Sequence, residues 1–496
     1  MRPGRWGGAL AAAQLLAACA RIAPVHPPEP APRPAPAAVD TAPRIPPDYP
    51  RTPPPLGPAP TLRLPPIVEQ RLPNGLRVLY VRMAEVPVVH LTWIGRGGLI
   101  DAPEGRVDVP VMVADLLDEG AGGRSADELA LVLESLGAQL RVVAGWDGVQ
   151  LDLEAPTAAL DSALVLARDV LLRPDFRPAD VERVRRARLA EVAAARDEAR
   201  ILANQAFAAS AYGTHPYGRV PSRGAVARLS RAELIRFHRT HYRPAGATLV
   251  LAGDVDAAAL HPRLARVFGE VRGAPPPVAL PAPPTPSARL VLVDKPGAPQ
   301  AEIRVGRPAA ARDDPDLPAL RVLNTLLGGS FTSRLNQNLR EAHGYTYGVS
   351  SSFALRRVAG PFLITTAVVT AKVDSALAEI RRELERIRND PVLPGELERA
   401  KRYLALGLPR TLETPAQVAN ALAELALYGR PLEDLERFVP AVMAVAPADV
   451  QRVAQRLLRP DAMVIVVVGD RTTLDPRLRA LGWGPVVVGR VDELAP

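Results

Sequence analysis

Cysteine is almost missing from this chain: Cys19 is the one thiol it carries. A single cysteine excludes internal disulfides and any structural zinc site that needs two or more thiolates. Aromatic residues make up only 4% of the sequence, so a core has to be assembled from Leu, Val and Ala. Lysine occurs three times, at Lys295, Lys372 and Lys401, among 61 basic residues. The arginines that make up the rest are mixed with 53 acidic residues rather than gathered in a stripe, so the net charge of +8 does not point to nucleic acid as a partner. No apolar run reaches the roughly 18 residues a membrane-spanning helix needs. There is no Gly-x-Ser-x-Gly elbow, and neither Gly120–Gly123 nor Gly328-Gly329-Ser330 leads into Gly-Lys-Ser/Thr. Serine-hydrolase and phosphate-loop readings therefore have no support.

Proline is what the chain has in excess, and nineteen of its 54 prolines fall in residues 1–66. Ahead of most of them, Arg2 and Arg5 precede a short apolar stretch that ends in Leu16-Ala17-Ala18-Cys19. This reads as a signal peptide over 1–19, with an apolar segment too short to span a bilayer. The last four residues resemble a bacterial lipobox, which implies acylation of Cys19 and a lipid anchor in the periplasm. Ala20, in place of the Asp that retains lipoproteins at the inner membrane, favours the outer membrane. Residues 20–66 then read as an extended Pro-rich tether.

A second Pro-rich stretch, 273–287, divides the remainder into halves of similar length, near 67–272 and 288–490. Arg243-Pro244, followed by an apolar run to Gly253-Asp254, recurs in the second half as Arg459-Pro460 and Gly469-Asp470, with all four marker residues displaced by the same amount. Arg77-Val-Leu-Tyr-Val81 recurs at nearly that displacement as Arg289-Leu-Val-Leu-Val293. Such matching offsets indicate duplication. Each half mixes strand signals, such as Val78–Val81 after the turn Pro73-Asn74-Gly75, with helical ones. Ser125 and Glu128 form a capping-box pattern with Gly137 as the stop, and the charged segment Ala179–Ala211 predicts one or two helices lying partly on the surface. The expected class is α+β, two homologous domains, each a mixed or antiparallel sheet backed by helices.

Several motifs in this order resemble the pitrilysin/insulinase family of zinc peptidases, the inverted zincins, over residues 67 to about 490. They are Leu72-Pro73-Asn74-Gly75-Leu76, His215-Pro216-Tyr217-Gly218, His241-Tyr242-Arg243-Pro244 and Leu327-Gly328-Gly329-Ser330. The resemblance implies the duplicated fold shared with mitochondrial processing peptidases. In active members, His-x-x-Glu-His on a helix supplies two zinc ligands and a general base, and a Glu well downstream supplies the third ligand. No His-x-x-Glu-His occurs in this chain. Aligned on the turn Gly120–Gly123, the helix predicted over Pro110–Glu119 carries Val111, Met112, Val113, Ala114 and Asp115 at the motif. Glu191 follows Asp115 at the separation the family uses for its third ligand; alone it cannot hold zinc, and it reads better as solvated helix charge. Asp115, Asp118 and Glu119 likewise read as exposed acids.

Family members also carry an Arg and a Tyr seven residues apart in the second half, where they bind substrate and stabilise the tetrahedral intermediate. Arg340 and Tyr347 have that spacing, with Tyr345 as the competitor should the register differ. The resemblance gives His343 no role, and His238 and His241 read as core or capping residues. It therefore implies a chain that binds no cofactor itself and acts as the non-zinc subunit of a periplasmic metallopeptidase. Zinc would reside in a homologous partner subunit, and the substrate would be an unfolded peptide. The alternative is a catalytically silent structural or peptide-binding chamber protein of an envelope complex.

Overall fold

A computed structural model describes residues 57–277 and 279–489. Cys19, the signal segment and most of the expected tether lie outside the described residues. The tether's described end is attached to the body: Leu62 and Leu64 pack against an apolar cluster to which both halves contribute, and the Leu64 N–H donates to Glu436 Oε1 at 2.8 Å.

In the first half the strands are β1 (Ile67–Arg71), β2 (Arg77–Arg82), β3 (Val88–Gly95), a two-residue hairpin of β4 (Gly120–Ala121) and β5 (Arg124–Ser125), β6 (Gln139–Ala144), β7 (Val149–Pro156) and β8 (Thr248–Gly253). The turn before β2 forms because Gly75, at φ 91°, adopts a conformation that side chains disfavour. Asn74 fastens that turn to the end of the half by donating to the carbonyls of Phe268 and Val271. Among the helices are α1 (Asp108–Leu116), α2 (Ala126–Ser135), α3 (Leu160–Leu172), α4 (Pro178–Ala194) and α5 (Ala199–Tyr212). The Ser125/Glu128 capping box forms as expected at the start of α2, and Gly137 follows its end at φ 63°.

The second half carries β9 (Arg289–Asp294), β10 (Gln300–Ala310), β11 (Val349–Phe353), β12 (Gly360–Val369), β13 (Val464–Gly469) and β14 (Val486–Gly489). The two six-stranded sheets have orders β6-β7-β3-β8-β2-β1 and β11-β12-β10-β13-β9-β14. Strand for strand these correspond: β2 runs parallel to β8 as β9 does to β13, and the remaining inner pairs are antiparallel in both. The outer strand beside β2 or β9 breaks the match, since β1 pairs antiparallel and β14 parallel.

The strands β8 and β13 are buried at every position. A sheet covered by helices on one face only would expose alternate residues, so both faces must be covered. Each half supplies the cover for the other. Helix α5 leaves the first half and packs on β10 and β13, bringing Ala203, Ala206, Phe207 and Tyr212 against Val291, Val464, Val466 and Val468. The helix Pro415–Leu427 returns the exchange, setting Val418, Ala419 and Leu422 against Leu79, Val250 and Ala252. The charged segment Ala179–Ala211 is thus two helices of different kinds. The first is largely solvated, whereas the second is buried from Ala206 onward except at Ala208.

Asp147 lies where the halves meet and is 2% exposed. It accepts from Tyr217 Oη at 2.6 Å, Tyr428 Oη at 2.9 Å and the Arg357 N–H at 3.0 Å. Such a buried carboxylate is stable because its oxygens are met by donors from both halves.

Candidate functional site

The positions aligned with the zinc motif lie on α1, which packs against α4. The helix spans Asp108–Leu116 rather than Pro110–Glu119; it starts earlier because Asp108 stands in its first turn, and it gives way before Gly120 enters the β4–β5 hairpin. Ala114 is buried and Val111 half-buried, while the Asp115 carboxylate opens to solvent. Glu191 on α4 is exposed and accepts from Arg188 Nη1 at 2.9 Å. The surrounding protein, and after it the Glu191 carboxylate, push Asp115 up to about 6. Asp115 is thus exposed and has the Glu191 carboxylate, from a separate helix, as its electrostatic neighbour.

A cation does stand between these helices, and it is a guanidinium. Arg188 reaches Asp108, 1% exposed, at 2.8 Å through Nη2 and at 2.9 Å through Nε, while its Nη1 serves Glu191. Burial raises the Asp108 carboxyl above its usual range, and Arg188 counters that rise. Zinc does not fit this set. Val111 and Ala114 offer no donor atom, Asp115 and Glu191 are two carboxylates where three protein ligands are needed, and Arg188 already occupies Glu191. Among the described residues no group of three or more His, Cys, Asp or Glu side chains is placed to hold a metal ion.

The second-half positions are arranged differently. Arg340 lies on a short wide-turned (π) helix, Asn336–Ala342, and Tyr347 just ahead of the edge strand β11. Both line one open groove of about 430 Å3. Arg340 is half-buried with its guanidinium 4.3 Å from the ring centre of Phe331, and Tyr347 is 91% exposed. The only carboxylate in ion-pair range of Arg340 among the described residues is its neighbour Glu341, at 3.5 Å. A guanidinium and a phenol with donors this free can bind a peptide carbonyl or an oxyanion. Tyr345 is placed otherwise: it stacks on His343 at 4.9 Å, packs against the second-half core and does not line the groove.

His238 and His241 are structural. His238 is buried, shares a 2.9 Å hydrogen bond with the Leu171 carbonyl and is pushed down to about 4 by burial. Burial also lowers His241, whose ring lies 4.4 Å from that of Phe237.

Four contributors to the groove were not singled out from the sequence. Asn336 donates to the Val349 carbonyl at 2.8 Å and accepts from the Val349 N–H at 3.2 Å, which fixes the helix of Arg340 to the strand beside Tyr347. Phe331 stacks with Arg340, and Arg304 and Arg200 reach the groove from β10 and α5. Arg304 stands in β10 between Glu302 and Arg307, and like Asn336, Phe331 and Arg200 it carries no periodic or spacing signal.

Residues 113–221 match the family profile described as Insulinase (Peptidase family M16), and residues 228–404 match that described as Peptidase M16 inactive domain. An uncharacterized zinc protease of Mycobacterium tuberculosis is 29% identical over 425 residues, covering 83% of this chain and 95% of that protein. One from Streptomyces coelicolor is 26% identical over 412 residues, covering 81% and 89%. Among solved structures, a peptidase M16 inactive domain from Pseudomonas fluorescens superimposes with a TM-score of 0.77 at 26% identity, covering 82% of this chain and 98% of that one. A protease from Helicobacter pylori shares the fold, with a TM-score of 0.76 at 20% identity over 82% of this chain and all of that one.

Proposed function

The chain belongs to the insulinase family of peptidases, M16, as a member without the zinc-binding motif, and on that premise we propose that it is the substrate-side subunit of a two-chain metallopeptidase. One contrast carries the reading. The helix pair aligned with the zinc site holds an arginine and too few ligands, whereas Arg340 and Tyr347 line an open groove with donors to spare.

In this reading the metal and the general base belong to a homologous partner subunit. An unfolded peptide lies along the groove beside β11. Arg340 and Tyr347 donate to the peptide carbonyl and to the charge that develops on its oxygen, and Phe331 and Asn336 hold Arg340 and its helix in place. The chain alone cleaves nothing. Cys19 carries a lipid, and the Pro-rich segment holds the pair near the periplasmic face of the outer membrane.

Association is the first test. The chain is mixed with a zinc-bearing homologue from the same organism, and the fractions of a sizing column are assayed for metal. The reading expects one zinc per complex and none retained by this chain alone; failure to associate with any zinc-bearing homologue contradicts it.

A further inference from the structure

The groove beside β11 has a charge imbalance that the peptide-binding reading does not require. Three arginines line it, Arg200, Arg304 and Arg340, against a single carboxylate, Glu302. That carboxylate is already used. Arg304, 2% exposed, binds Glu302 at 2.8 Å, Asn204 Oδ1 at 2.7 Å and the carbonyls of Ile303 and Arg200 at 2.9 and 3.2 Å. Its role is to tie the start of α5 to β10, and in doing so it neutralises the one acid present.

Two cations are left over. Arg200 is exposed and has no carboxylate within ion-pair range among the described residues. Arg340 has only its sequence neighbour Glu341, at 3.5 Å. They come from opposite halves of the chain, one from α5 and the other from the helix before β11, and the exchange of α5 between the halves brings them to one groove. Phe331 lies against Arg340 at 4.3 Å; a guanidinium stacked on a ring keeps its N–H edges for partners in its own plane.

We infer that this groove selects peptides bearing a carboxylate, which Arg200 and Arg340 bind by charge-assisted hydrogen bonds while Tyr347 donates to an adjacent carbonyl. The inference rests on the reading of Arg340 and Tyr347 as a peptide site and adds the chemical class of the substrate. The carboxylate belongs either to an acidic side chain or to the peptide C-terminus.

Four labelled peptides of one length separate these sources: with Glu or with Gln at the centre, each as the free acid and as the C-terminal amide. Binding to the full chain is followed by fluorescence anisotropy. A peptide with the recognised carboxylate binds about tenfold or more tightly than the Gln amide, and the ratio shrinks as salt rises from about 50 to 300 mM. Preference confined to the Glu pair assigns the side chain, and preference confined to the free acids assigns the terminus. Arg200→Gln and Arg340→Gln each bring the ratio toward one. Equal binding of all four peptides overturns the selectivity and leaves the peptide site standing. No binding by any of them overturns the inference itself, and it is distinguishable from failure of the two-chain reading, which is measured by association with the zinc-bearing homologue.

Discussion

Asn336 and Val349 exchange two hydrogen bonds, side-chain amide to main-chain carbonyl at 2.8 Å and main-chain N–H to side-chain oxygen at 3.2 Å. The pair closes the segment that holds Arg340 and Tyr347, so the spacing of those two side chains depends on it. Asn336→Ala leaves the buried Val349 amide and carbonyl without these partners, at a cost of about 1–3 kcal/mol in stability. Peptide affinity should fall with it, and Asn336→Asp should do no better, because it sets an acceptor oxygen against the Val349 and Ser330 carbonyls to which the Asn336 amide donates. Thermal unfolding and anisotropy titrations on the two variants check this.

Arg188 should be structural. Arg188→Met strands the buried Asp108 carboxylate and is expected to destabilise the chain by about 3–5 kcal/mol. In an Asp108→Asn background the same change should cost much less, because no buried charge is left unpaired. Chemical denaturation of the single and double variants measures the coupling.

Asp115 gives a pH signature. Its carboxyl titrates near 6 in the folded chain and at the ordinary aspartate value of 3.8 when unfolded. Between these values the folded state binds more protons, so this group's contribution to stability falls as pH rises from about 4 to 6. Asp115→Asn removes that loss and should make the chain more stable at pH 7. The gain should be about 1 kcal/mol rather than the ~3 kcal/mol of the full shift, since water screens an exposed group. Denaturation midpoints at pH 4.5 and 7.5 should converge in the variant relative to the parent.

The anchor is tested separately. Cys19→Ser should abolish metabolic labelling with a fatty acid and move the protein from the membrane fraction to the soluble periplasmic extract. Unchanged fractionation with no labelled parent protein would remove the lipid from the account.

Duplication was legible because β8 and β13 are continuous apolar runs entered through the same Arg-Pro and left through the same Gly-Asp. The Ser125 cap and the turn at Gly75 were legible for a similar reason: local chemistry dictates them. What covers those strands was not legible. The apolar face of α5 does not name the sheet it covers, and nothing in Ala199–Tyr212 says that it crosses to the other half. The same limit hid the site's supports. Arg200 and Arg340 belong to different halves of the chain, as do Asp147 and Tyr428, and such meetings depend on the completed fold. The missing zinc ligands could be read directly, since absence of a donor atom is a property of the residue; the arginine standing among the remaining carboxylates could not.

The central claim is that this chain supplies Arg340 and Tyr347 to a site whose metal belongs to another subunit. Its most direct measure is the rate of peptide cleavage by the complex with a zinc-bearing homologue, for the parent chain and for Arg340→Ala/Tyr347→Phe. The account predicts an intact complex with its zinc in place and a rate lowered by roughly 100-fold or more, as expected when donors to a developing oxyanion are removed. Parental activity from the doubly substituted complex would contradict it.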